Sequence, residues 1–590
     1  MVEGARALTQ PVEDTITAEV VRNALAVAVE EASIIVVRSS HSAWIQEGAD
    51  AAAALLDRAG GLVAQSAATS LLHGASLRCS LQALLEDIPL DDMRPGDVLA
   101  LNDPYRGGIH ANDILVFRPI FVDQRPTWFA GTVIHVADLG GVAAGGLAAL
   151  ATDTFAEGVL LPPVWLHREG EPVRDMFRLL ERNSRAPEKV IGDVSALVAG
   201  VNVLAARIDE LVDRYGAGEL DRHIRELVAY TERRMREDLR ALPSGTFHGS
   251  FTIDTDGLDP DRTFEVVVAV TIDDGEVVVD FSGTDPQSGG AINSSYSQTL
   301  SGVVYAVRCF VDPSIPMNEG CFAVINPILP EGAIVNPRPP AACGGRVVTV
   351  AAAVDAVVRA LSASTPERAV ASSGLIHVYA LSGSRDGVPW LTLGYEFGGI
   401  GGRSGSDGPD ATGTFFFGGR SVIPQLEPLE AQLPYVTEWC RLVPDSGGPG
   451  AWRGGLAVEV GLRMLDAAEL TVRGDRIGIP PPGTLGGASG RPGAYEVCRR
   501  DGRLDRLAYK QQGVRLDEGD VFVMRTSGGG GVGSPDARPA ERVAADVADG
   551  RVTPDGARRD YGVVVDGAGS LDRDGTDRLR RERSAHEVAR

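Results

Sequence analysis

Residues 101–141 hold His110, Asp113, His135 and Asp138 in one short stretch that begins LNDPYRGGIHAND and ends HVADLGG. Imidazole and carboxylate together are the ligand set of Zn²⁺, Mn²⁺ or Fe²⁺. Only nine histidines occur in 590 residues, so two beside a shared carboxylate carry weight. Three protein ligands, His110, Asp113 and His135, leave positions open, as a catalytic ion requires. The alternative is a hydrogen-bonded His/Asp network that holds no ion.

Spacing alone brings these side chains together. Ile114–Phe121 and Thr127–Val136 are mostly apolar runs rich in β-formers, and residues 122–126 between them read as a turn. If Phe121 pairs with Thr127, paired residue numbers total 248 and Asp113 falls opposite His135. Directly opposed side chains have Cβ atoms roughly 4.5–5.5 Å apart, close enough to share one ion. His110 stands at the strand entrance. A one-residue slip would turn Asp113 and His135 to opposite faces.

Asp103 and Asp138 flank the trio. Each is a candidate fourth ligand, a carboxylate that orients an imidazole, or a general base. Asn102-Asp103-Pro104 is also strong turn chemistry. Glu157 is a further acid/base candidate, with a solvated loop carboxylate as the plain alternative. Glycine runs at 398–408 and 528–531 offer backbone N–H groups for a phosphate or carboxylate, with Arg403 as an anion holder. Most such runs are simply turns.

Composition narrows the functional classes. A formal charge of -24 argues against nucleic acid or an anionic membrane as partner. Hydrophobic content of 44% with 23% charged residues describes a soluble globular protein, and the length calls for several domains. Lys189 and Lys510 are the only lysines. Neither follows a GxxxxG loop, so there is no Walker A motif and any ATP sits on a partner. Six scattered cysteines without a CxxC fit reduced cytoplasmic thiols. No signal peptide and no transmembrane helix are read, so the expected location is cytoplasmic.

The elements that must position the trio are of mixed type. Residues 1–13 read as a loose lead-in and Thr17–Val37 as a helix. Residues 53–65 read as strand, turn, strand, and 75–87 as a helix. Asp193–Tyr215 and Leu220–Leu242 carry helical patterns. Strands dominate from Gly245 to Ser282, helices follow at Thr299–Phe310 and Val348–Leu361, and residues 457–474 read as a hairpin. SGGGGVGSP (527–535) reads as a flexible turn, Arg538–Val552 as a helix, and the charged tail after Gly567 as disordered. The expected class is α+β: an N-terminal α/β metal-binding part (1–243), a β-rich and helical middle (244–365), a Gly-rich β part (366–566) and a tail (567–590).

Taken together, LNDPYRGGIHAND, HVADLGG, FAEGVLLPPVWL, NSRAPEKVIGD, VDFSGTDPQ, RCFVDPSIPMNEGC, ILPEGAIVNPRPPAA, DSGGPGAWRGG and SGGGGVGSP resemble the B subunit of the hydantoinase/oxoprolinase family, over residues 12 to 563. The resemblance implies that His110, Asp113 and His135 are ligands of a divalent metal (Zn, Mn or Fe). It also makes His73, which matches a family histidine, a candidate to approach substrate. It implies a hetero-oligomer with an A-type ATPase subunit that carries ATP and Mg. The pair would hydrolyse a cyclic amide such as a hydantoin, a lactam or 5-oxoproline. Ketone carboxylase subunits and a non-catalytic assembly subunit are the rival readings. Two family patterns depart here: IQEGADAAAA (45–54) keeps Asp50 but lacks the expected arginines and serine, and GRVVTVAA (345–352) replaces Gly-Asn-Val-Glu-Thr-Ser. Both changes are expected to remove polar groups from the substrate site.

Overall fold

The computed structural model describes residues 3–67, 71–413 and 423–588. The run Ala51–Asp57 is apolar at almost every position, which suits a strand buried on both faces. It lies second in a seven-stranded antiparallel sheet ordered Leu62–Gln65, Ala51–Asp57, Arg125–His135, Asp113–Val122, Val98–Leu101, Val164–Arg168 and Glu171–Pro172. The two-residue side-chain period splits these strands between two cores. Ala51, Ala53, Leu55, Ile114 and Val116 face the long helices Glu3–Ser39 and Pro187–Tyr215. Ala52, Ala54, Leu56, Leu115 and Phe117 face the other way, toward helices Gly74–Asp87, Tyr296–Arg308 and Val347–Ser364. That second cluster runs on through Val266 to Phe397, so the segments on either side of residue 244 share one core.

Three further sheets follow. One is four-stranded (Ile325–Ile328, Glu276–Asp280, Phe264–Asp273, Gly245–Ile253) and packs against helix Val347–Ser364. Another pairs Val388–Phe397, Ile376–Arg385, Ala468–Arg473 and Lys510–Leu516. The last is five-stranded (Tyr435–Leu442, Val458–Met464, Val521–Arg525, Ala494–Cys498, Leu504–Arg506). The last two sheets bury Leu470, Val472, Val460 and Phe522 between them, as a β-sandwich does. The α+β class is therefore as expected.

Several elements differ from expectation. The lead-in is helical: the first helix begins at Glu3 and passes through Pro11. Proline removes one backbone donor there, while the flanking Ala, Arg, Leu and Glu are strong helix formers. Within the tail, expected to be disordered, Arg573–Val588 forms a helix. Arg580 from this helix donates to the Arg538 carbonyl at 2.8 Å, which ties it to the body. Residues 457–474 form two strands but no hairpin. Val458–Met464 pairs in the five-stranded sheet and Ala468–Arg473 in the other half of the sandwich. Helices Pro187–Tyr215 and Val347–Ser364 are long and apolar enough to cross a membrane, but 56% and 78% of their most apolar windows are buried inside this chain.

Candidate metal centre

The hairpin carries the centre. Asp113–Val122 and Arg125–His135 are joined by Asp123 and Gln124 alone, both at positive φ (47° and 64°), the backbone of a tight mirror-image turn. A bulge follows at once: Phe121 pairs with Pro126, then Ile120 with Trp128. Beyond it the register is the expected one, and Asp113 lies opposite His135. Asp113 shares the face of Leu115 and Phe117, so the pair opens toward helices Gly74–Asp87, Tyr296–Arg308 and Val347–Ser364 rather than toward helices Glu3–Ser39 and Pro187–Tyr215.

His135 Nδ1 lies 3.1 Å from Asp113 Oδ1, and His110 Nε2 lies 3.4 Å from Asp113 Oδ2. The two imidazole rings stand edge to face, with centroids 4.9 Å apart. Two ligand atoms on one tetrahedral ion, each ~2.05 Å from it, are about 3.4 Å apart. One ligand atom from each of the three residues lies within 4.8 Å of the other two. The donor set and its spacing therefore fit one divalent ion. The Asn112 N–H donates to His110 Nδ1 at 3.1 Å and orients the ring.

Electrostatics prepare the ligand forms. Burial pushes the Asp113 carboxyl up, but His110, the Arg346 charge and the His135 hydrogen bond outweigh it and hold it well below the usual carboxylate range. Burial, helped by the Arg346 charge, pushes His110 well below the ordinary imidazole value. A neutral imidazole beside an ionised carboxylate is the state that binds metal.

Around the trio lies a cavity of about 80 Å³ lined by Asp50, His73, His110, His135, Arg346 and Arg473, among others. His73 stands at the start of helix Gly74–Asp87, with Nε2 3.1 Å from Asp50 Oδ1. Arg346 immediately precedes helix Val347–Ser364. Its Nη2 donates to Asp113 Oδ2 at 3.1 Å and its Nε to Gln298 Oε1 at 3.3 Å. Arg473 ends strand Ala468–Arg473 and is 8% exposed. Its Nε and Nη1 are buried with no hydrogen-bond partner among the described residues. Burial and the Arg346 charge push this guanidinium down to about 10, so it stays charged at neutral pH.

The flanking carboxylates do not join the trio. Asp138 is fully buried, and its oxygens accept from Gly140 N (3.0 Å), Gly145 N (2.9 Å), Arg185 N (2.9 Å) and Arg185 Nη1 (3.0 Å). It ties down the loop whose Gly145 and Gly146 form one cavity wall. Asp103 caps the single-turn helix Pro104–Arg106 by accepting from Tyr105 N at 2.9 Å. Glu157 is not a solvated loop residue: it is 2% exposed and accepts from Cys343 N (3.1 Å) and Gly344 N (2.5 Å). Burial raises it to about 7 against the pull of those two N–H groups. It thereby positions the segment that leads into Arg346.

The glycine runs are packed backbone rather than an anion cradle. Gly399 N donates to Ser527 O, Gly402 N to Gly530 O and Gly529 N to Gly455 O. A Cβ on Gly529 would lie 2.2 Å from the Ile400 carbonyl oxygen. Arg403 is exposed and does not line the cavity.

Residues 14–535 match the sequence profile described as hydantoinase B/oxoprolinase. The chain belongs to the hydantoinase B/oxoprolinase family. Within reach of this hydantoinase B-type chain is the caprolactamase subunit beta of Pseudomonas jessenii, 30% identical over 95% of this chain and 97% of that one. An uncharacterised protein of Methanocaldococcus jannaschii is 31% identical over 94% of this chain and 96% of its own length. The crystal structure of the ATP-dependent caprolactamase of P. jessenii superposes with a TM-score of 0.89 at 29% identity, covering 96% of this chain and 99% of that chain. A nucleotide-free acetone carboxylase shares the fold alone, with a TM-score of 0.89 at 20% identity over 98% of this chain and 84% of that one.

Of the cavity residues, sequence patterns singled out His73, His110 and His135. Asp50 was visible only as a retained motif residue. Arg346 lies in the departing segment 345–352 without having been singled out itself, and Arg473 carries no local signal. Within the departing segment 345–352, the Arg346 guanidinium reaches Asp113.

Proposed function

We propose that this chain is the B-type subunit of an ATP-dependent cyclic-amide hydrolase, working in the cytoplasm with an A-type ATPase subunit. His110, Asp113 and His135 hold a divalent ion, Zn, Mn or Fe. The observation that carries this reading is the register of the hairpin, which sets His135 against Asp113 at the edge of a cavity and brings His110 to the same carboxylate. Similarity to caprolactamase along nearly the whole chain supports the substrate class, and six unpaired cysteines agree with a reducing compartment.

A bound ion supplies Lewis-acid polarisation of a carbonyl or an activated water. The chain's own residues do the rest. Asp113 stays ionised and His110 neutral. Asp50 holds the His73 ring at the cavity wall, and Glu157 and Asp138 fix the segments that carry Arg346 and Gly145. ATP and its Mg belong to the partner.

The test is an ATPase screen of the chain co-purified with its A-type partner. Turnover driven by hydantoins, lactams or 5-oxoproline without bicarbonate is the expected result. Turnover that needs a ketone and bicarbonate would move the chain to the carboxylase reading. A metal-loaded complex with no substrate-driven turnover would leave it an assembly subunit.

A further inference from the structure

Arg346 is already engaged: one donor serves Asp113 and another Gln298. Arg473 is not. It lines the same cavity, is more than nine-tenths buried, and has Nε and Nη1 without acceptors among the described residues. The nearby Glu157 attracts this charge but accepts no hydrogen bond from its Nε or Nη1: both Glu157 oxygens are turned to the Cys343 and Gly344 N–H groups. Gly344 stands between the two: a Cβ there would meet Glu157 Oε1 at 2.8 Å and Arg473 Nη1 at 3.8 Å. The cavity also receives Val347, the first residue of the 18-residue helix Val347–Ser364. The N-terminal end of a helix carries partial positive charge.

A buried guanidinium without a partner is costly to keep. Two like charges beside one small cavity add to that cost, and an anion bound between them would offset it. Guanidinium donors match the oxygens of carboxylate and phosphate. A cavity meant for a neutral, unsubstituted ring would need none of this.

We propose that Arg473, backed by Arg346 and the start of helix Val347–Ser364, binds an oxyanion carried by the substrate. This rests on the cyclic-amide reading above and narrows it. The substrate is an amide that bears a carboxylate, or one that presents a phosphoryl group when it reaches this chain. A site built to pair a charged group discriminates strongly against analogues that lack it.

Calorimetric titration of the purified full-length chain with acetate, and separately with inorganic phosphate, tests the proposal at fixed ionic strength. The wild type is expected to bind at least one of the two, and Arg473→Met to bind it at least tenfold more weakly. The thermal midpoint of Arg473→Met is expected to be no lower than that of the wild type, since the change removes buried donors that have no acceptors among the described residues. Should that variant not fold, Arg473→Lys keeps the charge but loses the guanidinium donors, and is expected to fall between the two. Tighter binding of acetate assigns the oxyanion to a ring carboxylate, and tighter binding of phosphate to a phosphoryl group. No binding of either anion by the wild type, or equal binding by Arg473→Met, overturns the subsite. The titration needs no ATP, partner or turnover, so its failure is distinguishable from failure of the ATPase screen.

Discussion

Replacing Arg346 with Asn should tighten metal binding at the trio. Arg346 Nη2 sits 3.1 Å from Asp113 Oδ2, and an ion held by that carboxylate lies ~2.1 Å from an oxygen. The guanidinium and a dication are then roughly 5 Å apart. Coulomb repulsion is about 2 kcal/mol in bulk-water dielectric and about 7 kcal/mol at an effective dielectric of 20. Even the lower figure is more than tenfold in affinity. Without metal, the variant loses the partner of a buried carboxylate, a change that costs about 3–5 kcal/mol. Added metal should restore that stability by mass action. Two assays read this: chelator competition for Zn²⁺ on the purified full-length chain, and thermal unfolding with and without the ion. Arg346→Asn should bind at least tenfold more tightly and show the larger metal-dependent rise in midpoint. Unchanged or weaker binding would refute the reasoning, because the ion would then not share Asp113 with Arg346.

Three other perturbations have distinct signatures. Glu157 is raised to about 7 from an ordinary value of 4.5, so the native chain holds its proton more tightly than the unfolded chain. Its contribution to stability is full below pH ~4.5 and lost as pH rises through 7. Relative to Glu157→Gln, the wild type should lose about 2.5 kcal/mol between pH 5 and pH 8 in urea unfolding; a pH-independent difference would contradict the shift. Asp138→Ala leaves three backbone N–H groups without their acceptor, while the half-exposed Arg185 guanidinium keeps its carbonyl acceptors, and the change should cost about 1–3 kcal/mol. If Asp138→Asn keeps its unfolding midpoint yet abolishes turnover, Asp138 returns to the chemistry. Asp103→Ala should cost about 1 kcal/mol as a lost helix cap and retain both metal and turnover, and loss of turnover with metal retained would show a direct role.

Much of the site was legible because a strand has a period of two. The sequence pattern placed a five-residue turn at 122–126, whereas the chain turns on Asp123 and Gln124 alone. The bulge between Ile120 and Phe121 absorbs the one-residue difference, so the pairing of Asp113 with His135 survives the misplaced turn. Local composition misled elsewhere. The 457–474 run looks like a hairpin because nothing local tells two strands that pair from two that part at a sandwich corner. That parting is what carries Arg473 to the cavity. The glycine runs look flexible, but their lack of side chains lets backbones interleave at the distances seen between Gly529 and Ile400. The last helix, Arg573–Val588, is charged and poor in apolar residues, and the Arg580 tether that holds it is long-range. The roles of Arg346 and Arg473 are hidden for the same reason: only packing of distant segments brings them beside the hairpin.

The central claim is that one divalent ion is shared by His110, Asp113 and His135. Elemental analysis of the chain co-purified with its partner, for wild type and His135→Ala, tests it most directly. One Zn, Mn or Fe per chain is predicted in the wild type, and none in His135→Ala of unchanged secondary structure. A wild-type complex without stoichiometric metal, or a variant that retains it, would contradict the account.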